Sequence, residues 1–179
     1  TGVSTNFSVN PITPPSDASA SSILTIAVNS SATPGTYTLT INGTGSLTRT
    51  TTIHLTIPTP DFSLTAAPTS LTATVGSSHN ITVTVNSLQG FTDTVTLSTP
   101  NLPTGFSSAF VPQQGTPKFN SILTLSLNSS ATPGTYTITI QGTGGGVTHN
   151  TTITVYVLTP DFTISAVPSS LTIFIGSSE

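Results

Sequence analysis

The chain has 179 residues, and charged residues make up only 4% of it, against about 25% in an ordinary soluble domain. Its formal net charge is -3, and its only basic residues other than His are Arg49 and Lys118, so no basic stripe exists for nucleic acid or an anionic membrane. There is no Cys, which excludes disulfides and thiolate metal sites. No apolar run reaches the about 20 residues of a membrane-spanning helix, so no membrane insertion is expected.

Thr and Ser make up more than a third of the residues and take the surface role that charges usually fill. With five Asp plus Glu and three His, few groups can titrate. Stability is therefore expected to change little with pH, as suits an acid-tolerant extracellular protein.

The chain repeats itself at about a hundred residues. Ala-Thr-Pro-Gly-Thr-Tyr-Thr stands at 32–38 and 131–137, Pro-Asp-Phe at 60–62 and 160–162, and Gly-Ser-Ser at 76–78 and 176–178. Thr1-Gly2 aligns with Thr104-Gly105, and Glu179 with His79. Three segments follow: an incomplete unit at 1–59, a whole one at 60–159, and the beginning of another at 160–179. Both ends of the sequence are thus expected to fall inside a domain. A unit of about a hundred residues can bury its own core.

In 1–59 the alignment predicts the last four strands of a unit. In 60–159 it predicts seven or eight, near 61–66, 70–75, 79–87, 93–99, 105–111, 121–128, 134–141 and 147–158. Ile81, Val83 and Val85 alternate with Thr82 and Thr84. Leu123, Leu125 and Leu127 alternate with Thr124 and Ser126. Tyr136, Ile138 and Ile140 alternate with Thr135, Thr137 and Thr139. Period two marks strands with one buried face, and Thr favours strands. Gly76-Ser77-Ser78, Pro100 to Pro103, Thr132-Pro133-Gly134 and Gly142 to Gly146 supply turns.

This is an all-β pattern. Seven short strands in about a hundred residues predict tandem immunoglobulin-like β-sandwiches. Tyr37 and Tyr136 each follow a Pro-Gly-Thr turn and open the penultimate strand, where such sandwiches place a tyrosine corner.

In 160–179, Phe162, Ile164, Ala166, Leu171, Ile173 and Ile175 fall on one predicted face and Phe174 on the other. Such a strand left alone is an aggregation template. Either the sequence is a window on a longer array, or a neighbouring subunit's 1–59 accepts the strand by β-addition. Joining the two pieces would still lack the equivalent of 79–103, which favours the window.

Asp-Phe-Ser-Leu-Thr-Ala-Ala-Pro-Thr-Ser-Leu-Thr (61–72), Val-Asn-Ser-Leu-Gln-Gly-Phe-Thr-Asp-Thr-Val-Thr-Leu (85–97), Asn-Leu-Pro-Thr-Gly-Phe (101–106) and the Ala-Thr-Pro-Gly-Thr-Tyr-Thr string carry a resemblance. They are similar to the tandem immunoglobulin-like repeats of bacterial and archaeal surface and secreted proteins. The resemblance covers essentially the whole chain. It implies a stalk, filament or adhesin module, or a non-catalytic arm of a secreted hydrolase, and it carries no catalytic residues to transfer.

The residues themselves offer little chemistry. His54 aligns with Thr154 and His149 with Arg49, and both His fall among outward polar positions. No carboxylate lies near them in sequence to build a triad. Asp61 and Asp161 recur before the first strand, but calcium wants six to eight oxygens, and the 60–159 unit has only Asp61 and Asp93. A turn-capping Asp is the better reading. The run Gly142-Thr143-Gly144-Gly145-Gly146 precedes no helix and is a hairpin loop rather than a phosphate loop. An isopeptide link fails for want of partners, since Lys118 is the only Lys and Glu179 the only Glu. No metal and no cofactor are expected.

Asn6, Asn29, Asn42, Asn80, Asn128 and Asn150 begin Asn-x-Ser/Thr sequons, several of which arise by chance in so Ser- and Thr-rich a chain. Glycans there would supply surface hydration. The favoured function is a structural repeat of an extracellular filament or cell-surface stalk. Its partners would be copies of itself or neighbouring repeats, and surface glycans. The alternatives are a binding arm of a secreted hydrolase or an adhesin, for which Phe91 and Phe106 are the loop aromatics on offer. Among outward positions, Leu47, Val147, Tyr156 and Phe174 break the Thr pattern.

Overall fold

The computed structural model describes residues 2–176. Among the described residues there are strands and no helix, and the chain divides after Pro60 into two compact units. Residues 177–179, with Glu179 of the predicted third segment, lie outside the described residues.

The first unit holds four strands. β1 (Val3–Phe7) pairs antiparallel with β2 (Leu24–Val28), and β3 (Gly35–Thr44) with β4 (Thr48–Ile57). Each pair is a sheet of its own.

The second unit is a sandwich of two sheets. One has the order β5 (Asp61–Ala67), β7 (Ser78–Leu88), β11 (Phe119–Leu127), β9 (Phe106–Val111). The other has the order β10 (Gln114–Gly115), β8 (Val95–Ser98), β12 (Gly134–Gly144), β13 (Val147–Val157), β6 (Ser70–Ala73). With the short β6 and β10 set aside, the other seven strands, numbered along the chain, follow the first-second-fifth-fourth and third-sixth-seventh order of an immunoglobulin sandwich. The short β6 has crossed to run parallel to β13, and β10 adds an edge to β8.

The alternation drives this packing. Ile81, Val83 and Val85 of β7 and Leu123, Leu125 and Leu127 of β11 turn inward. They meet Val95, Leu97, Ile138, Ile140, Ile153 and Val155 of the opposite sheet in one core, all buried. Each such side chain contributes roughly 1.5–3 kcal/mol by leaving water. The Thr between them face out and pair across strands, as Thr139 opposite Thr152 and Thr143 opposite Thr148. Ser121 is the buried polar side chain, and its hydroxyl donates to the Pro112 carbonyl at 2.6 Å. That bond offsets the cost of burying it.

Several expectations need correction. Phe91 and Phe106 are core residues, not loop aromatics, and Phe62 packs on Phe91 with centroids 5.2 Å apart. Val147 is half-buried against the core rather than outward, whereas Leu47, Tyr156 and Phe174 are exposed. No strand forms over 158–176, where strands were expected, and these residues are exposed, including Phe162, Ile164, Leu171, Ile173 and Ile175. A strand is stable only alongside a hydrogen-bonding neighbour. The matching residues of the second unit have β7 and β13 beside them.

Candidate functional site

The recurring features of the chain build the same corner in each unit. In the second, the Tyr136 hydroxyl donates to the Thr132 carbonyl at 2.9 Å, and its ring lies 5.0 Å from that of Phe106. In the first, the Tyr37 hydroxyl donates to the Thr33 carbonyl at 2.7 Å. Both bonds reach back four residues and hold the Pro-Gly turn that starts β3 or β12.

The turn just before the corner recurs as closely. The Asn128 N–H donates to the Gly105 carbonyl at 2.8 Å, and its Oδ1 accepts the Ser130 N–H at 2.8 Å. In the first unit the Asn29 N–H donates to the Gly2 carbonyl at 2.8 Å, and its Oδ1 accepts the Ser31 N–H at 3.0 Å. This is an Asx turn, and it gives the recurrence of these two Asn a structural cause. Gly105 and Gly2 are required here. Both have positive φ, and a Cβ would lie 2.2 Å from the Ala131 nitrogen or 2.4 Å from that of Ala32.

All six sequon asparagines are exposed. Asn80 Oδ1 also accepts the Thr124 hydroxyl across the β7–β11 pair at 3.0 Å.

The histidines do not converge. His54 is exposed beside the Thr38 hydroxyl, and His79 lies 3.0 Å from the Ser77 hydroxyl. His149 is not the solvated residue its neighbours in sequence suggest. Its Nε2 stands 2.7 Å from Asp61 Oδ1, and its ring meets Phe62 edge-on at 4.9 Å. A carboxylate only accepts, so Nε2–H is the donor. Asp61 Oδ1 also accepts the Phe62 N–H at 2.7 Å, as Asp161 does from Phe162 at 2.8 Å. The His149 bond, and then the Phe62 N–H, hold the Asp61 carboxyl below its ordinary value of 3.8.

A signal for this pair was present in the sequence. Arg49 and His149 are both basic, and Asp61 and Asp161 recur, although neither fact by itself says that they meet. Among the described residues no three His, Cys, Asp or Glu gather as a metal site would need. Nor, among the described residues, is any helix long and apolar enough to cross a membrane.

The inner face of the first unit is partly open. Two clefts of about 260 and 250 Å³ lie along it, with Phe7, Ile41 and Asn42 common to both. Ile53 and Tyr37 there are each 37% exposed, whereas Ile153, the match of Ile53, is buried. In the second unit a shallow cleft of about 440 Å³ opens between β8 and β9 at Leu97, Thr99, Ser108 and Phe110. It gathers no ionisable group.

No known family and no curated protein matches the chain. Solved structures resemble it weakly. Domains 4 and 5 of the S-layer protein SbsC are 17% identical over 70% of this chain and 66% of theirs, with a TM-score of 0.40. Domains 4–9 of surface layer protein SbsC are 19% identical over 78% of this chain and 20% of theirs, at 0.43. The endo-fucoidan hydrolase MfFcnA4, from glycoside hydrolase family 107, is 17% identical over 88% of this chain and 23% of its own, at 0.35. The chain spans about two thirds of the first and under a quarter of the other two. Likeness this slight carries no argument about function.

Proposed function

We propose that the chain is a structural repeat of an extracellular filament or cell-surface stalk, of the immunoglobulin-like kind that its motifs resemble. One observation carries this reading. The Gly-Asn-Ala-Tyr corner is built twice with the same bonds, while the ionisable side chains gather nowhere into a reaction centre among the described residues. What is duplicated is scaffold.

The mechanism is mechanical. Sandwiches in series are joined by Ile57-Pro58-Thr59-Pro60 and Leu158-Thr159-Pro160, where proline restricts its own backbone angle and limits bending. The exposed Thr and Ser, with glycans on the sequon asparagines, keep an almost uncharged surface hydrated.

Immunogold electron microscopy of the native cells tests this. Label along regular filaments or an outer layer is the expected result. Label confined to the cell interior, or dispersed monomers in the medium, would defeat it.

A further inference from the structure

The outer face of the larger sheet in the second unit is built almost wholly from hydroxyls and amides. Every second residue of β12 and β13 turns into the core, so the residues between them face out. Across the pair these outward residues meet in register. Thr137 lies opposite Thr154, Thr139 opposite Thr152, and Gln141 opposite Asn150. The rows run on into the flanking strands, since Gln141 has Ser98 of β8 on its other side and Thr154 has Ser70 of β6. Neighbouring strands stand about 4.8 Å apart, and alternate residues about 6.5 Å apart along each strand. The outward side chains therefore form a regular grid.

The grid carries no charge. The outward positions of β6, β8, β12 and β13 hold no Asp, Glu, Lys, Arg or His. The Thr143 and Thr148 hydroxyls share a hydrogen bond at 3.3 Å. Those of Thr137, Thr139, Thr152 and Thr154 bond to no protein group among the described residues, which leaves them for water or a partner. A chain rich in Thr and Ser does not produce such a face everywhere. The outer face of the opposite sheet carries Ala109, Val111 and Ile122, the last two 70% and 39% exposed.

One side chain breaks the grid. Tyr156 stands in the row between Thr135 and Thr72, and it is 46% exposed. Val155 and Val157 on either side of it are buried, so its ring belongs to the outer face. The first unit has Thr56 at the matching place, opposite Thr36. A Tyr ring gives a large, rigid contact area at little cost in conformational freedom, and its hydroxyl adds a polar tip.

The chemistry of a partner follows from these groups. A charged ligand would lose hydration here without a counter-charge to offset it. A purely apolar ligand would cover the hydroxyls and leave them unbonded. An uncharged sugar meets both demands, with hydroxyls around its rim and C–H groups on its faces to lie against an aromatic ring. A sheet face is a platform rather than a groove, so it suits an extended chain of such rings.

We propose that the outer face of β6, β8, β12 and β13 binds an extended, neutral polysaccharide. One sugar ring lies on Tyr156, and its neighbours along the chain bond to the rows of Thr hydroxyls. This deepens the surface-repeat reading and rests on it, since it names what such a repeat holds.

Retention of the purified 179-residue chain on insoluble cellulose and on insoluble mannan, both neutral and extended, tests this. Binding to at least one is expected, and roughly 1 M NaCl should not release it, because no charge pair is there to screen. Tyr156→Ala should weaken binding about tenfold or more, as loss of an aromatic anchor does, whereas Tyr156→Phe should keep most of it. Thr152→Asp should weaken binding, and Thr82→Asp, on the outer face of the other sheet, should not. Melting temperatures show that each variant is folded. Retention on neither material, release by salt, full binding by Tyr156→Ala, or equal losses from Thr82→Asp and Thr152→Asp would overturn the proposal. None of these results depends on where the protein lies in the cell, so this test and the microscopy fail separately.

Discussion

Asp61 and His149 are 88 residues apart in the chain, and their side chains meet at 2.7 Å. Asp61 opens β5 in one sheet and His149 lies on β13 in the other. The pair therefore ties the two layers of the second unit together beside the Phe62–Phe91 contact.

The bond sets a direction with pH. The Asp61 carboxyl is held below 3.8 by His149 and the Phe62 N–H. A carboxyl lowered on folding stabilises the native state above its unfolded value, and the contribution is lost as pH falls through the folded one. Asp61→Asn should lower the melting temperature at pH 7, and its deficit against the parent should shrink as pH falls below 3.8. Thermal melts of both chains across this range check this. The parent's own midpoint should show only a small acid step, because so few other groups titrate.

Tyr136→Phe removes the hydroxyl that donates to the Thr132 carbonyl and leaves the ring on Phe106. If the corner locks the turn into β12, the variant should lose about 0.5–1.5 kcal/mol, the worth of one such bond. Urea unfolding gives the number. Tyr37→Phe should act in the same sense on the first unit.

Gly105 and Gly76 separate strain from collision. Both have positive φ, 85° and 83°, but a Cβ on Gly76 meets open space, whereas one on Gly105 meets the Ala131 backbone. Gly76→Ala should cost about 1–2 kcal/mol, from the backbone alone. Gly105→Ala should cost clearly more, because the turn holding Asn128 must shift. Denaturation midpoints compared at equal slope distinguish them.

Ile140 and Ile41 occupy the same place in the two units, the first buried and the second partly exposed. Ile140→Ala should cost about 2–5 kcal/mol. Ile41→Ala should cost less, since less surface leaves water and no closed cavity forms. Urea unfolding of the two variants makes the comparison.

The strands of the second unit were legible because alternation is local. The run from Ser121 to Leu127 shows which residues turn inward, whatever lies opposite. The two-residue β10 was not legible, since a pair so short has no period to read. Nor was the burial of Phe91, which follows a Gly and looks like a loop tip until the opposite sheet closes over it. The corner bonds of Tyr37 and Tyr136 fell where the Pro-Gly turn placed them, because donor and acceptor are four residues apart and the turn sets both.

The sequence by itself determined the all-β character, the repeat and the inward residues of long alternating strands such as β7 and β11, since all three follow from neighbours along the chain. Tertiary structure alone decided that His149 meets Asp61, and that Leu171 and Ile173 stay exposed while Leu71 and Ala73 do not. A side chain's face follows from its own strand. Whether that strand forms, and what its charges meet, depends on a partner strand that the local pattern does not specify.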